Sequence, residues 1–171
     1  VYGPAELQDG STVAVSITGA PPGQRYSLAQ CATGMVDFNP AANRLRVISD
    51  AGQNLRHNID DPNGAPAAGV TAEDGMLTYP PATTAAAGVT AAAYTNNDLD
   101  PNTATTLFDL DSTLDQVAIQ SPANAGSLAP TGKLGVDAAV GAGFDIYSTL
   151  RDGPSIGTTA LATVQVGGRY G

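Results

Sequence analysis

Apolar and polar residues alternate with a period of two in several short segments of this chain, which is the pattern of half-buried β-strands. The segment STVAVSITG, residues 11–19, alternates in this way, and a Pro-Gly turn separates it from a second alternating segment, RYSLAQCA. These two segments predict an N-terminal β-hairpin. Gly and Pro recur too often to leave a clean 3.6-residue period of useful length, so the pattern argues against a helical fold.

Groups of three such strands recur after the hairpin. The first group occupies residues 35–64, the second runs from VTAAAYTNN through TTLFDLD to QVAIQ, and the third opens with AGFDIYS and continues, after the loop TLRDGPSIG, with TTALATVQVGG. Phe38, Tyr94 and Phe144 occupy matching places in the three groups. Repeats of about 40–60 residues, each with three or four short strands, are typical of β-propeller blades.

These patterns predict an all-β fold of antiparallel meanders in a propeller-like repeat arrangement. We expect residues 35–171 to form this repeat domain and residues 1–34 to add a hairpin at one edge of it, because two or three strands cannot bury an apolar face by themselves. At about 45 residues per blade the chain holds fewer than four blades. The sheet edges of an incomplete propeller are templates for pairing, so the pattern also predicts a protein partner or self-association.

Composition narrows the classes of function. The 171 residues suffice for one domain with a buried core, and 13% are charged, about half of the usual share of about 25%. A net charge of −9 argues against nucleic acids and anionic membrane surfaces, which need clustered Lys and Arg. No run approaches the roughly 18 apolar residues of a membrane span.

The surface chemistry points to an exported protein. The chain starts with Val, holds one Lys beside six Arg, and is rich in Thr, Asn and Gly. We therefore expect a mature bacterial protein that is secreted, periplasmic or at the cell surface.

Two stretches of the sequence resemble known families. The segments DFNPAANRLRVISDAGQNLRHN, GVTAAAYTNN, TTLFDLDSTLDQVAIQSPANAGSL, LGVD and AGFDIYS resemble an uncharacterised family of exported bacterial domains of unknown function, over residues 36–168. That resemblance implies a propeller-like β domain of secreted or surface proteins and implies no activity.

Residues 7–32, LQDGSTVAVSITGAPPGQRYSLAQCA, resemble the first strands of the enediyne-antibiotic apoproteins, the neocarzinostatin-like sandwiches that carry a chromophore. In that family the cysteine at the position of Cys31 is disulfide-bonded, whereas this chain has no second cysteine. The resemblance implies a small-molecule carrier with an apolar pocket near Tyr26, Cys31 and Phe38.

Acidic residues cluster in DLDSTLD, which contains Asp109, Asp111 and Asp115. Residues two apart on a strand share a face, so Asp109 and Asp111 are candidates for the acid and base of glycoside hydrolysis or for calcium ligands. However, Asp favours turns, where it binds its own backbone, and a similar acidic corner recurs at Ser49-Asp50. We therefore interpret these aspartates as turn residues that face water.

A candidate calcium loop lies in NNDLDPN, where the ligands would be Asn97, Asp98, Asp100 and Asn102. The segment resembles the start of a calcium loop, although the glycine and the bidentate glutamate of a helix-loop-helix site are missing. The acidic loop NIDDPNG is a second candidate for calcium, although its first interpretation is a turn.

Arg44, Arg46 and Arg56 are the one local cluster of positive charge in the sequence. Arg44 and Arg46 share a strand face and Arg56 lies on the next strand, which makes them a candidate anion-binding patch. The alternative is cross-strand pairing with Asp50, Asp60 or Asp61.

The sequence predicts no catalytic residue and no cofactor other than calcium. Its one histidine, His57, is too few for a transition-metal site, and no nucleophile motif accompanies it. The leading hypothesis is a non-enzymatic extracellular or periplasmic scaffold or interaction domain, including a subunit of a larger surface or envelope assembly. The alternatives are a small-molecule carrier and a carboxylate-based polysaccharide hydrolase, which needs two carboxylates about 5–9 Å apart in one cleft.

Overall fold

The computed structural model of the protein describes residues 34–96 and 102–171, and within these ranges the chain forms eleven β-strands and one 3₁₀ turn, with no α-helix. The predicted all-β class is therefore confirmed. The N-terminal hairpin predicted for residues 1–34 lies outside the described residues apart from Gly34, and stays a prediction. No helix in the described part of the chain is long and apolar enough to cross a membrane.

The strands form three antiparallel sheets that follow one another along the chain. Sheet 1 has the order β1-β2-β3-β4, with strands Gly34–Asn39, Arg44–Ser49, Asn54–Asn58 and Thr71–Glu73. Sheet 2 has the order β5-β6-β7-β8, with strands Val89–Tyr94, Leu107–Asp111, Gln116–Gln120 and Leu128–Lys133, and the 3₁₀ turn Ala123–Ala125 lies between its last two strands. Sheet 3 has the order β11-β10-β9, with strands Ala139–Leu150, Ser155–Val166 and Arg169–Tyr170 numbered β9, β10 and β11.

The strands of the three predicted groups are confirmed, and Phe38, Tyr94 and Phe144 each lie on the first strand of a sheet. The prediction missed β4, β8 and β11, because these segments show no clear alternation. It also placed a long loop in TLRDGPSIG, where β9 continues to Leu150 and β10 begins at Ser155. The third group is thus a long two-stranded hairpin with a short added strand.

The turns between strands use side chains that bind nearby backbone groups, as predicted for Asp111. Asp111 Oδ1 accepts hydrogen bonds from the backbone N–H groups of Thr113 and Leu114, both at 2.9 Å. Ser49 Oγ accepts a bond from the N–H of Gln53 at 3.3 Å. The Ser49 hydroxyl at the end of β2 and the Asp111 carboxylate at the end of β6 thus have the same role, because each binds the backbone of the turn that follows its strand.

Gly88 connects the two corners. Its N–H donates to Asp50 O and its carbonyl accepts from the N–H of Ser112. Its φ is +94°, and a Cβ at this position would lie 1.9 Å from Thr113 Oγ1. Glycine is therefore required both by the backbone conformation and by the close approach of the next turn.

The sheets pack face to face through their first strands: β1 packs against β5, and β5 packs against β9. The space between sheets 1 and 2 holds the main apolar cluster, which comprises Ile48, Leu77, Ala86, Val89, Ala92, Tyr94, Leu107, Ala118 and Leu128. The opposite face of sheet 2 carries the buried residues Ala91, Ala93 and Leu110. Strand β5 and most of β6 are thus buried on both faces, whereas β8 is exposed beyond Leu128.

We expect Leu110→Ala to lower the free energy of unfolding by about 2–5 kcal/mol, because it leaves a cavity at a fully buried position. Leu114→Ala is the matched control: this leucine lies in the next turn and is 44% exposed. Its truncation should cost less than about 1 kcal/mol. Urea denaturation of both variants tests this, and equal losses would contradict the assigned burial.

Candidate functional site

Arg46 lies between sheets 1 and 2 and is 3% exposed. Its Nη1 donates to Asp74 Oδ2 at 2.6 Å and to Asn54 Oδ1 at 2.8 Å. Its Nη2 donates to Asn124 Oδ1 at 2.8 Å, and its Nε donates to the Tyr94 hydroxyl at 3.3 Å. One guanidinium therefore binds groups from sheet 1, from the chain after β4, from the first strand of sheet 2 and from the 3₁₀ turn.

The strand register brings a second arginine to the same place. Arg46 on β2 is directly opposite Arg56 on β3, so both side chains are on the face of sheet 1 that meets sheet 2. Arg56 Nη2 lies 3.2 Å from Asp74 Oδ1, and Asn54 Nδ2 donates to the carbonyls of Gly75 and Ala123. Asp74 thus bridges the two cations, and Asn54 joins the sheets independently of charge.

Asp109 and Asp111 lie on β6 and are both 0% exposed, so the prediction that they face water is wrong. The physical reason is that β6 is an inner strand of sheet 2, and sheet 1 covers the face that carries both aspartates. Asp111 combines its turn role with a second contact, because its Oδ2 accepts a hydrogen bond from the Tyr79 hydroxyl at 2.9 Å.

The carboxyl group of Asp109 has no hydrogen-bond partner on either oxygen among the described residues. Its cross-strand neighbours are Ala92 and Ala118, whose methyl groups cannot replace water. Burial raises the pKa of Asp109 to about 8; the positive charge of Arg46 opposes this shift, and the negative charge of Asp111 adds to it. In the folded protein this group therefore carries a proton at neutral pH.

Tyr79 and Asp111 lie in the wall of a shallow cleft of about 210 Å³, together with Ala82, Thr84, Ala85, Ala86, Ala87, Thr113 and Leu114. Burial, and after it the negative charges of the nearby aspartates, raise the pKa of Tyr79, so its hydroxyl remains a donor. A second cleft of about 180 Å³ lies near Tyr94 and Gln120. Both volumes fall below the roughly 300 Å³ at which small-molecule pockets begin.

Asp37 is a residue that the sequence analysis missed. Its Oδ2 accepts a hydrogen bond from the backbone N–H of Tyr94 at 2.6 Å, and its Oδ1 accepts one from the N–H of Phe38 at 2.8 Å. The carboxylate therefore links the first strand of sheet 1 to the first strand of sheet 2. Burial is the largest cause of its raised pKa, which these two backbone bonds oppose. The sequence does contain a signal for this role, because Asp37 is the acidic residue of a strand, β1, whose neighbouring side chains are apolar.

The three arginines of the candidate anion patch all make ion pairs. Arg44 Nη2 lies 3.1 Å from Asp61 Oδ2, as the alternative of cross-strand pairing predicts, and its Nη1 donates to Asn58 Oδ1. Arg46 and Arg56 share Asp74 instead, a partner that the sequence analysis did not name. Anion binding at these arginines stays a prediction.

The candidate calcium ligands Asn97, Asp98 and Asp100 lie outside the described residues, and Asn102 is exposed. In the second candidate loop, Asp61 Oδ1 accepts from the N–H of Asn63 at 2.9 Å. This bond, followed by the Arg44 side chain, lowers the pKa of Asp61. Within residues 34–96 and 102–171, no group of three or more His, Cys, Asp and Glu side chains is placed to hold a metal ion.

His57 lies on β3, as expected, with its Nδ1 3.0 Å from Thr71 Oγ1. Burial lowers its pKa. A neutral imidazole bonded to a threonine hydroxyl is a structural arrangement.

The three sheets define an all-β protein built from consecutive antiparallel meanders. The chain belongs to DUF4394, a family defined by a domain of unknown function, whose profile matches residues 9–171. This match begins well before residue 36 and includes most of the segment that resembles the neocarzinostatin-like apoproteins; that second resemblance stays a prediction. No curated protein and no solved structure matches the chain.

We expect Asp109→Asn to change the pH dependence of stability. The folded protein keeps a proton that the unfolded chain releases above the ordinary pKa of 3.8. The wild type therefore loses stability as pH rises from about 4 to about 8, by at most about 1.4 kcal/mol per pH unit, and the loss stops above the folded pKa. The variant lacks this proton, so its stability relative to wild type should increase over the same interval in urea denaturation.

Asp137→Asn is the control for this comparison, because Asp137 is exposed. Its stability should follow the wild-type pH profile. If the Asp109 variant and the wild type gave parallel profiles between pH 4 and pH 8, the assigned protonation would be wrong.

Arg46→Lys should cost about 3 kcal/mol of unfolding free energy, since a lysine cannot reproduce the planar set of donors and leaves buried acceptors unpaired. Arg56→Lys is the control, because Arg56 is more exposed and pairs with the same aspartate. It should cost about 1 kcal/mol or less. Thermal and urea denaturation measure both, and equal costs would argue against a central role for Arg46.

Proposed function

We propose that this protein is a non-enzymatic interaction domain that binds polypeptides through the two outer faces of its stack of sheets. The observation that carries the proposal is the exposure of large apolar side chains on these faces. We call them the first end face, on the side of sheet 1 away from sheet 2, and the last end face, on the side of sheet 3 away from sheet 2.

Alternation along the strands defines the first end face. Met35 and Ile48 are paired across β1 and β2 and pack into the core with sheet 2. Their neighbours Val36 and Phe38 therefore point the other way, and Phe38 is 55% exposed. Val47, the cross-strand partner of Val36, extends this apolar surface.

The last end face follows from the same argument. Ile146 is buried on β9, the strand that packs against sheet 2. Its neighbour Tyr147 lies on the opposite face with Leu161 of β10, which is 61% exposed. Exposed apolar groups that are contiguous on a sheet usually mark an interaction site.

Charge favours contact at sheet 3. The chain carries a net charge of −9, yet residues 139–171 contain two Asp and two Arg and no Lys or Glu. Strand β10, SIGTTALATVQV, has no charged residue. A partner can approach this surface without the general repulsion of an acidic protein.

The outer edge of β10 is also available for pairing. Strand β11 pairs with Gln165 and Val166 and leaves residues 157–163 without a strand on that side in the described part of the chain. This edge has neither proline nor charge, the devices that usually prevent pairing.

The location that we propose, extracellular or periplasmic, rests on composition and on the weakly charged Thr, Asn and Gly surface.

The two alternative functions, a polysaccharide hydrolase and a small-molecule carrier, receive less support from the geometry. A polysaccharide hydrolase that used Asp109 and Asp111 would need a sugar to reach both carboxyl groups, but both are 0% exposed, and Asp109 is not in the wall of the cleft that Asp111 lines. A small-molecule carrier with a pocket near Tyr26, Cys31 and Phe38 would enclose Phe38, which is exposed.

Native mass spectrometry of the protein purified from its source tests the proposal. We expect the wild type to carry a polypeptide, either a second copy or another chain. The double variant Phe38→Glu, Leu161→Glu should lose it, since each new carboxylate would have to be desolvated in an apolar contact.

Leu114→Glu is the control, because it places the same charge at an exposed leucine in the β6–β7 turn of sheet 2, and it should keep the partner. A wild type that carries no polypeptide, or one that hydrolyses a polysaccharide in a manner abolished by Asp111→Asn, would overturn the proposal.

A further inference from the structure

We propose that the second cleft, beside Tyr94 and Gln120, binds one hydroxyl-rich sugar ring, either a free monosaccharide or the terminal residue of a glycan. The cleft lies between sheets 1 and 2 and is separate from the two end faces. The inference therefore goes beyond the proposed function and does not rest on polypeptide binding.

Three neighbouring strands of sheet 2 form the floor of the cleft. Tyr94 on β5, Leu107 on β6 and Gln120 on β7 are cross-strand partners in one row, and all three line the cleft of about 180 Å³. Neighbouring strands lie about 4.8 Å apart, so the backbone row spans about 10 Å from Tyr94 to Gln120. The floor thus has a polar side chain at each end and an apolar one between them.

The rest of the wall comes from the end of β1, the chain before β6 and the chain after β7. Its residues are Asn39, Thr105, Thr106, Ser121 and Ala123. Thr106 and Ser121 are exposed, whereas Gln120 is 2% exposed and Tyr94 is 5% exposed. Gln120 and Tyr94 are therefore at the inner end of the cleft, and the hydroxyls of Thr106 and Ser121 are at its mouth.

The Gln120 amide has one atom in use and one without a partner. Its Nε2 donates to the carbonyl of Ala123 at 2.6 Å, which fixes the orientation of the amide. Its buried Oε1 accepts no hydrogen bond from the described residues. A buried acceptor without a donor is costly in free energy, so this oxygen points to a ligand that brings a donor.

Tyr94 supplies a donor at the other end of the floor. Its hydroxyl accepts from Arg46 Nε at 3.3 Å. A phenol hydroxyl can accept and donate at the same time, so its hydrogen remains for an acceptor in the cleft. The adjacent cation polarises the hydroxyl and strengthens that bond.

The lining of the cleft favours a neutral ligand. Although the chain holds 16 Asp and Glu residues, none of the described residues that line the cleft is charged. An ion would lose its water there without gaining a counter-charge, which is unfavourable.

Size and shape favour a sugar ring over a polypeptide side chain. The volume lies below the roughly 300 Å³ of pockets for drug-sized molecules, so the ligand is limited to one ring or one side chain. An amide or hydroxyl side chain carries its polar group at its tip alone. A sugar ring carries hydroxyls around its rim and C–H groups on its faces, so it can donate to Gln120, accept from Tyr94 and pack a C–H face on Leu107.

Heteronuclear NMR of the isotope-labelled protein tests the proposal through the Gln120 side-chain amide and the backbone amides of Thr106 and Leu107. The probes are D-glucose, D-galactose, D-mannose, L-rhamnose and N-acetyl-D-glucosamine, each titrated alone. We expect saturable shifts of these signals with at least one sugar, at a Kd of about 1–10 mM, which is the range for one small ring.

Gln120→Met removes the unpaired acceptor and keeps the length of the side chain. It should weaken binding at least tenfold, as measured by the backbone signals of Thr106 and Leu107. Gln116→Met is the matched control, because Gln116 is on the same strand and face, is 6% exposed and does not line the cleft. It should leave the Kd unchanged.

Thr106→Val is a second variant, which removes an exposed hydroxyl at the mouth and keeps the shape of the side chain. It should weaken binding about threefold. Circular dichroism confirms folding of each variant, and Thr106→Val decides the test if Gln120→Met fails to fold.

Methyl glycosides separate the two sources of the ligand. If the methyl glycoside of the bound sugar binds as tightly as the free sugar, the ligand is the terminal residue of a glycan. If the methyl group abolishes binding, the ligand is a free monosaccharide. Either result supports the proposal.

Acetamide, which carries the polar group of an Asn or Gln side chain, and inorganic phosphate test the competing ligands. Tighter binding of either than of every sugar would overturn the inference. The absence of saturable shifts with all five sugars would also overturn it, because solvent alone then satisfies Gln120 Oε1. So would equal binding by the wild type and Gln120→Met. None of these results bears on polypeptide binding at the end faces, which native mass spectrometry tests separately.

Discussion

The buried guanidinium of Arg46 is the interaction on which the packing of sheet 1 against sheet 2 depends. Placing a cation in a protein interior costs several kcal/mol unless its donors are satisfied. Four of its five N–H groups meet acceptors here, from Asn54, Asp74, Tyr94 and Asn124. Because these acceptors come from four separate segments, the arginine makes all four bonds in one arrangement of the sheets alone. Its main contribution is to the uniqueness of that arrangement.

The proton on Asp109 follows from the same cluster. Asp74 binds both Arg46 and Arg56, and Asp111 binds Tyr79 and its own turn. Asp109 feels the charge of Arg46 but has no donor within reach among the described residues. With the cations already engaged, the neutral carboxylic acid has a lower free energy than an ionised group between two alanines. Asp109 is thus protonated because Arg46 and Arg56 are bound to Asp74 instead.

Local patterns in the sequence predicted those parts of the structure that local forces decide. The strands of the three groups, the Asp111 turn and the Arg44–Asp61 pair all join residues close in sequence or on neighbouring strands. Alternation also placed Asp109 and Asp111 on one face. It could not show that this face is covered, because the cover comes from sheet 1, far away in the chain. The partners of Arg46 were missed for the same reason: Asp74 and Asn124 meet it only after two sheets have packed.

The contact between sheets 1 and 2 contains buried charges, whereas the end faces carry apolar side chains. The contact between sheets 1 and 2 contains a buried cation and its acceptors, so separating the sheets would leave several charged or polar groups unpaired. The end faces carry Val36, Phe38, Tyr147 and Leu161, and such side chains can be exposed to water at moderate cost. A polypeptide bound at these faces, as we propose, would therefore be released without leaving a buried charge unpaired.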